Sequence, residues 1–406
     1  MSSPTSDAAH GVRPCPTCRT EGGRVVHRVA RLPAHSCLVV RDAAEARGVG
    51  MGTLDLVLCE RCGHLANRGF DESLVAYDVR YEDSQAFSGT FTAYAEELAR
   101  DWVDRWHLAG RTVVEVGAGR GDFARMLAEA GAGRVVAQDP TIHPDRFAAH
   151  PRVSPLATAF RRPADLPPAD AVAMRHVLEH VEDPRALLLE LREALDVRPD
   201  VPVLAEVPDS RRILREGAFW DVYHEHCSYY VEETVRLLFA SSGFEVAEVE
   251  RRYDDQYLVV AALPTGVPHE PSLDPATALA LTGTARAFAE RVADQVDGWR
   301  RTVRAAAAAG QDVVVWGAGS KGTAFLAALD EDAGAVSRVV DVNPYLSGAF
   351  ISGTGHPIVA PADLERRPTD LVVVMNPVYL REISQAVSGL SPRARLLGLG
   401  ALVPAG

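Results

Sequence analysis

The sequence predicts an α/β chain in three parts. A small cysteine-bearing module spans residues 1–75, a Rossmann-like unit spans 76–265, and a second Rossmann-like unit spans 276–406. Three observations carry that expectation. Two C-x-x-C pairs, Cys15-Pro-Thr-Cys18 and Cys59-Glu-Arg-Cys62, bracket the first part. The stretch Val113-Val114-Glu115-Val116-Gly117-Ala118-Gly119-Arg120-Gly121-Asp122 runs a β-branched strand through a glycine loop into a helical segment. Much later, Trp316-Gly317-Ala318-Gly319-Ser320-Lys321-Gly322 follows the same strand–loop–helix order.

In the first part, paired C-x-x-C knuckles in a chain with only six cysteines read as a tetrahedral zinc site and not as a disulfide framework. Four thiolates, from Cys15, Cys18, Cys59 and Cys62, fill the coordination sphere, so the zinc is expected to be structural. Cys37 is expected to pack, and His64 to be a loop residue. Short strands are expected at Arg24–Val29, Leu38–Arg41 and Leu54–Leu58. Such a module holds too little core to fold alone, and a metal commonly compensates.

An aromatic linker with Tyr77, Tyr81 and Ser84 follows, then a helix from Tyr94 to Trp106. Strands expected at Thr112–Val116, Arg134–Gln138, Ala171–Arg175 and Val201–Val207 alternate with helices such as Asp122–Ala130 and Pro184–Leu195. That alternation predicts a parallel doubly wound sheet. Glu245–Tyr253 and Tyr257–Ala262 suit its antiparallel end. A proline-bearing linker, 264–275, leads to one long helix over 276–309. The last unit has strands at Asp312–Trp316, Ser337–Val342, Leu371–Met375 and Arg395–Gly398.

Composition bounds the partners. Apolar residues make up 47% and charged residues 24% of 406 positions, as in soluble globular chains. A net charge of −13 argues against nucleic acid or an anionic membrane as partner. No apolar run is long enough to span a bilayer, and Met1–His10 has no signal-peptide core. The expected location is the cytoplasm, as a monomer or homodimer.

The first glycine loop carries the most chemistry. Its glycines allow close backbone approach to a ligand, and the following helix offers free N–H groups. An acid, Glu115, precedes Gly117, Ala118, Gly119 and Gly121. A carboxylate there would repel a pyrophosphate but suits a cationic ligand. The E-x-G-x-G-x-G pattern resembles the cofactor loop of class I S-adenosylmethionine (SAM) methyltransferases. Asp139 ends the next strand, where an acid accepts hydrogen bonds from a ribose diol. His176 and His180 follow the third strand, at the carboxyl edge where open sheets bind ligands. If that segment is helical they fall at i, i+4. The H-E-x-x-H order is absent, so they read as pocket residues, His176 toward the cofactor and His180 toward the substrate.

Tyr223-His224-Glu225-His226 packs four reactive side chains into consecutive positions. A histidine paired with a carboxylate is a tunable base near neutral pH. In the last unit the Gly317–Gly322 loop opens a helix, as a phosphate cradle should. It has no P-loop spacing, and a looser loop than a dinucleotide fingerprint is expected. It does hold Lys321, the only lysine in the chain. Asn343 and Tyr379 follow later strands on the same edge, so a nucleotide diphosphate is favoured there over a redox cofactor.

Taken together, the two C-x-x-C pairs, the tyrosine-bearing linker, the Glu115–Gly121 loop, the Tyr223–His226 box and the Gly317–Gly322 loop resemble the three-domain SAM-dependent sugar C-methyltransferases. Those enzymes act on dTDP-linked 4-keto-deoxysugars in antibiotic biosynthesis. The resemblance implies that His226 is the base, supported by Tyr223 and Glu225, with Tyr81 or Tyr77 in the pocket. His224, Ser320, Lys321, Asn343 and Tyr379 would then contact the nucleotide sugar. Segments 59–70 and 343–355 follow a side branch of that pattern. Two other readings fit the same residues: methylation of an oxygen or nitrogen, and a non-catalytic scaffold that binds SAM or a nucleotide.

Overall fold

The computed structural model describes residues 13–75, 80–82, 84–142, 147 and 149–400. Its named strands form three sheets among those residues. In the N-terminal module, β1 (Arg24–Pro33) pairs antiparallel with β2 (Met51–Leu58), and β2 with β3 (Leu65–Asn67). Leu38–Arg41 is not a strand of this sheet. It makes isolated bridges outward instead, Leu38 with Tyr81 of the linker and Val40 with Phe350 of the last unit.

The helix Gly89–Arg105 starts at Ser88, whose hydroxyl accepts the Phe91 N–H at 3.3 Å. Phe91, Ala95, Leu98 and Trp102 then recur at helical spacing and bury one face. Five strands follow in parallel: β4 (Thr112–Val116), β5 (Arg134–Gln138), β6 (Val153–Leu156), β7 (Ala171–Arg175) and β8 (Val203–Pro208). Strands buried on both faces read as continuous apolar runs, and Val113, Val114, Val172 and Ala173 are fully buried. β6 was not anticipated. It carries Pro155, which is tolerated because β6 lies at the sheet edge. After β8 the chain leaves this sheet, and β9 (Ser228–Tyr229) pairs with β3 of the N-terminal module. β10 (Glu245–Arg252) and β11 (Tyr257–Leu263) return as an antiparallel hairpin against β8. The order is β10-β11-β8-β7-β4-β5-β6, so connections diverge on either side of β4.

The expected single helix over 276–309 is two, Pro275–Arg286 and Phe288–Ala308. At the break Phe288 turns fully inward, edge-on to His27 with ring centroids 5.4 Å apart. The last unit is all parallel: β12 (Val313–Trp316), β13 (Val336–Val340), the two-residue β14 (Ile358–Val359), β15 (Leu371–Val374) and β16 (Arg395–Gly398). Its order, β14-β13-β12-β15-β16, puts the switch at β12.

One apolar core joins the first and last parts. Leu54 and Leu56 of β2, Trp220, Phe288, Trp299 and Phe325 belong to it. The N-terminal module is therefore packed into the rest of the chain by its sheet and by its core. Among the described residues no helix is long and apolar enough to cross a membrane.

Candidate active site

Both α/β sheets turn the carboxyl ends of their strands toward one cavity of about 720 Å³. The loops after β4, β5 and β7 line it from one side, and those after β12, β13 and β15 from the other. The two switch points thus face each other, which is where open α/β sheets bind ligands.

On the first side, Gly117 has φ +76°, and a Cβ there would lie 2.2 Å from Val177 Cγ2. Only glycine fits. Gly119 N–H donates to Asp139 Oδ2 at 3.0 Å, while Asp139 Oδ1 accepts from Thr141 N and Oγ1, both at 2.6 Å. Ala118 lines the cavity, and Gly121 opens the helix Asp122–Glu129. Glu115 is buried on the cavity wall, and its Oε2 has no hydrogen-bond partner. Burial pushes its carboxyl up to about 8. A buried acid with a vacant oxygen suits an incoming ammonium group.

His176 is not helical. It has φ +53°, a left-handed conformation rare for such a side chain. Nδ1 lies 3.1 Å from Glu179 Oε1 and Nε2 lies 3.0 Å from Glu206 Oε1. Burial alone would lower its pKa, but the two carboxylates win and raise it to about 9. Glu206 also takes a two-pronged contact from Arg175, at 2.9 and 2.7 Å, and the Tyr94 hydroxyl. The expected i, i+4 pairing of His176 with His180 therefore fails. His180 sits in a short 3₁₀ turn, Leu178–His180, and both histidines reach the cavity separately.

The box does not act as one cluster. The chain turns at His224 and Glu225, and its side chains fan out to different elements. His226 faces the cavity. Its ring lies edge-on to His180 (4.7 Å) and Tyr223 (4.8 Å). Burial, then the neighbouring His180 and His176, hold its pKa well below the usual imidazole value, so it is neutral near pH 7. Tyr223 donates its hydroxyl to Asp221 Oδ1 at 3.2 Å, and burial raises its phenol well above the ordinary range. Two expectations need correction. Glu225 does not pair with His226: its carboxylate accepts from Ser36 and lies 3.1 Å from His35 Nδ1. His224 is not on the cavity wall: its Nδ1 donates to Thr53 O at 2.7 Å, and its ring stacks on Phe70.

On the second side the loop is tighter than expected. Gly317, Gly319 and Gly322 stand at the G-x-G-x-x-G positions of a dinucleotide loop. A Cβ at Gly322 would lie 2.1 Å from Gly317 O. Asp341, at the end of β13, accepts the Ala318 N–H at 2.7 Å, as Asp139 does for Gly119 in the other unit. Lys321 is not a free cation. It pairs with Asp221, which also takes Arg212 at 2.6 Å. Ser320 lies 2.8 Å from Ser36 Oγ. Asn343 donates to Glu82 at 3.0 Å, and the Tyr379 hydroxyl donates to Gln85 at 3.0 Å. These four residues of the last unit touch the cavity, as does Tyr81. Tyr77 lies outside the described residues.

Sequence reading missed Asp221, Arg212, Glu206 and Ser36. Asp221 had a signal: an acid two residues before the box, in a chain whose single lysine needed a partner. The others had none.

Away from the cavity, Cys15, Cys18, Cys59 and Cys62 place their sulfurs within 4.8 Å of one another, with no disulfide. Cys15–Cys62 is 3.6 Å and Cys18–Cys59 is 3.5 Å. Thiolates on tetrahedral Zn–S bonds of about 2.3 Å sit about 3.8 Å apart, so the donor set fits such an ion. Each knuckle closes with a backbone bond, Arg19 N–H to Cys15 O at 2.8 Å and Gly63 N–H to Cys59 O at 2.9 Å. His64 is buried and turned to Ser228 Oγ at 3.2 Å.

Comparison with known proteins agrees with this geometry. Residues 91–249 match a family model described as a methyltransferase domain, and 275–393 match one described as a C-methyltransferase C-terminal domain. With its glycine loop at the switch of a seven-stranded sheet, the chain is a SAM-dependent methyltransferase. The C-methyltransferase NovU of Streptomyces niveus is 28% identical over 366 residues, covering 84% of each chain. The second family model and this relative are both described as C-methyltransferases. Among solved structures, magnesium protoporphyrin IX methyltransferase of Synechocystis PCC 6803 is 18% identical, covering 45% of this chain and 90% of that one, with a TM-score of 0.35. The 1,6-didemethyltoxoflavin-N1-methyltransferase of Burkholderia thailandensis is 20% identical, covering 44% and 81%, with a TM-score of 0.34.

Proposed function

We propose that this enzyme methylates the carbon next to the ketone of a dTDP-linked deoxysugar, as one step of antibiotic sugar assembly. The observation that carries this reading is His226: a neutral imidazole on the wall of a cavity whose two sides are both nucleotide-binding folds. SAM would be held by Glu115 at its amino group, the Gly117–Gly121 loop and Asp139 at its ribose, and it supplies an electrophilic methyl group. The diphosphate would lie on the Gly317–Gly322 loop, at the N-terminus of helix Ser320–Leu329, near Lys321. Asn343 and Tyr379 would meet the nucleoside and Tyr81 the sugar.

His226 takes the proton from the carbon beside the ketone. The electron pair of that C–H bond becomes the enolate, which is the carbon nucleophile. Tyr223 already donates to Asp221, so His180 is the better donor for the enolate oxygen. Its Nδ1–H donates to Glu225 O at 3.2 Å, which fixes the ring on the cavity wall. Much of the acceleration comes from holding two ligands in line. Zinc on the four cysteines would be structural, and six cysteines with no disulfide among them suit a reducing cytoplasm.

The test is proton exchange. A dTDP-linked 4-keto-6-deoxyhexose incubated in D₂O without SAM should take up deuterium beside the ketone, and His226→Asn should slow this by about 10²–10⁴. Methyl transfer to an oxygen or nitrogen acceptor with no exchange would replace this reading with the heteroatom one.

A further inference from the structure

The N-terminal module does more than carry a metal site. Residues Ala34 to Cys37 enter the space between the box and the last unit, and all four are buried. Ser36 is the junction. Its N–H and its hydroxyl both point at Glu225 Oε1. A hydroxyl has one proton, so with that proton on Glu225, Ser36 Oγ accepts from Ser320 at 2.8 Å. The Ser36 carbonyl accepts the Thr323 hydroxyl at 3.0 Å. Ser320 and Thr323 both belong to the first turn of the helix behind the Gly317–Gly322 loop. At the other end, Glu225 is anchored a second time by His35, and its carbonyl fixes the Nδ1–H of His180. His180 in turn stands edge-on to His226.

A continuous path therefore runs Ser320–Ser36–Glu225–His180–His226, crossing all three parts of the chain. Every carboxylate and hydroxyl in it is already spoken for by another member, and Glu225 has no contact with the cavity itself. We infer that Ser36 is a positioning residue: it ties the nucleotide loop to the histidine pair, so that occupancy of the loop sets the orientation of His180 against His226. On this account Glu225 belongs to the box because Ser36 needs an acceptor there. The inference rests on the function proposed above, and it assigns the N-terminal module a part in that function.

The experiment uses the full metal-loaded chain with wild type, Ser36→Ala, Ser36→Thr and Ser320→Ala. Deuterium exchange into the dTDP-linked 4-keto-6-deoxyhexose is read as kcat and KM. In parallel, histidine-labelled protein is titrated with dTDP alone, and the His180 and His226 ring signals are followed by NMR. A lost hydrogen bond to a charged acceptor is worth about 10–100-fold, so Ser36→Ala should lower kcat by about that factor with KM moving less than about threefold. Ser36→Thr, which keeps the hydroxyl, should recover most of it. In wild type dTDP should shift both ring signals, and in Ser36→Ala and Ser320→Ala that response should vanish. A Ser36→Ala enzyme with wild-type kcat, or ring signals that answer dTDP equally with and without the hydroxyl, would overturn the inference. Ring signals that respond as described in a wild type showing no exchange would sustain the path and remove the ketone chemistry instead.

Discussion

The imidazole of His226 meets that of His180 edge to face, with centroids 4.7 Å apart and planes at 89°. Two histidines this close cannot both be charged cheaply. His226 is faced by His180, His176, Asp221 and Lys321, and burial dominates, so it is the member that stays neutral. A base works only while unprotonated. Activity should be present above its pKa and lost as pH falls through it, so the acid limb of kcat/KM is expected below the ordinary histidine value of about 6.5. His180→Asn removes a neighbour that lowers the pKa of His226 and should move that limb to higher pH as well as lowering the plateau. A pH–rate profile of both proteins checks this, and a limb that stays in place removes the coupling.

Glu115 titrates at about 8 in the free protein, raised by burial. At pH 7 such a group is roughly nine-tenths protonated. If it pairs with the SAM ammonium it must ionise, so binding should release close to one proton. Calorimetry in buffers of differing ionisation enthalpy measures this directly. Glu115→Gln should weaken SAM by about 10-fold or more and abolish the release.

Asp221 sits between Lys321 and Arg212, all three inside the cavity wall. Asp221→Asn removes the carboxylate that Lys321 and Arg212 share, Arg212 keeping only Glu216 at 3.1 Å, and breaking a buried pair this way typically costs about 3–5 kcal/mol. Urea unfolding should show a loss of that order. Adding Lys321→Met to the variant should return part of it, and strict additivity would mean that the pair is not coupled.

The four-cysteine site should hold one zinc per chain by elemental analysis. Chelation, or Cys59→Ser, should lower the melting temperature and also activity. The second effect follows from geometry: β3 comes directly after the Cys59–Cys62 knuckle and pairs with Ser228–Tyr229, two residues past His226. Metal loss that leaves turnover intact would disconnect the two.

Much of the scaffold could be read in advance because it rests on short-range patterns. β-branched runs ending in glycine marked β4 and β12, and the cysteine knuckles marked the four-cysteine cluster. The two-residue β14 and the proline-bearing β6 carried too little pattern to be seen. Partner choice in the site was opaque for another reason. Tyr223, His224, Glu225 and His226 adjoin in sequence, but a turn at 224–225 sends them to Asp221, Thr53, Ser36 and the cavity. Those partners come from distant segments, and local spacing carries no information about them. The G-x-G-x-x-G spacing of Gly317–Gly322 is legible in the sequence, and it matches the close approach of Gly322 to Gly317 O.

The intrusion of residues 34–37 between the two larger units bears on attempts to re-engineer this enzyme. Exchanging the last unit for that of a relative, to change which substrate is accepted, would bring a new helix against an old Ser36. A graft that carries the cysteine module along with the last unit would preserve the match, even though the two stretches lie nearly three hundred residues apart in sequence.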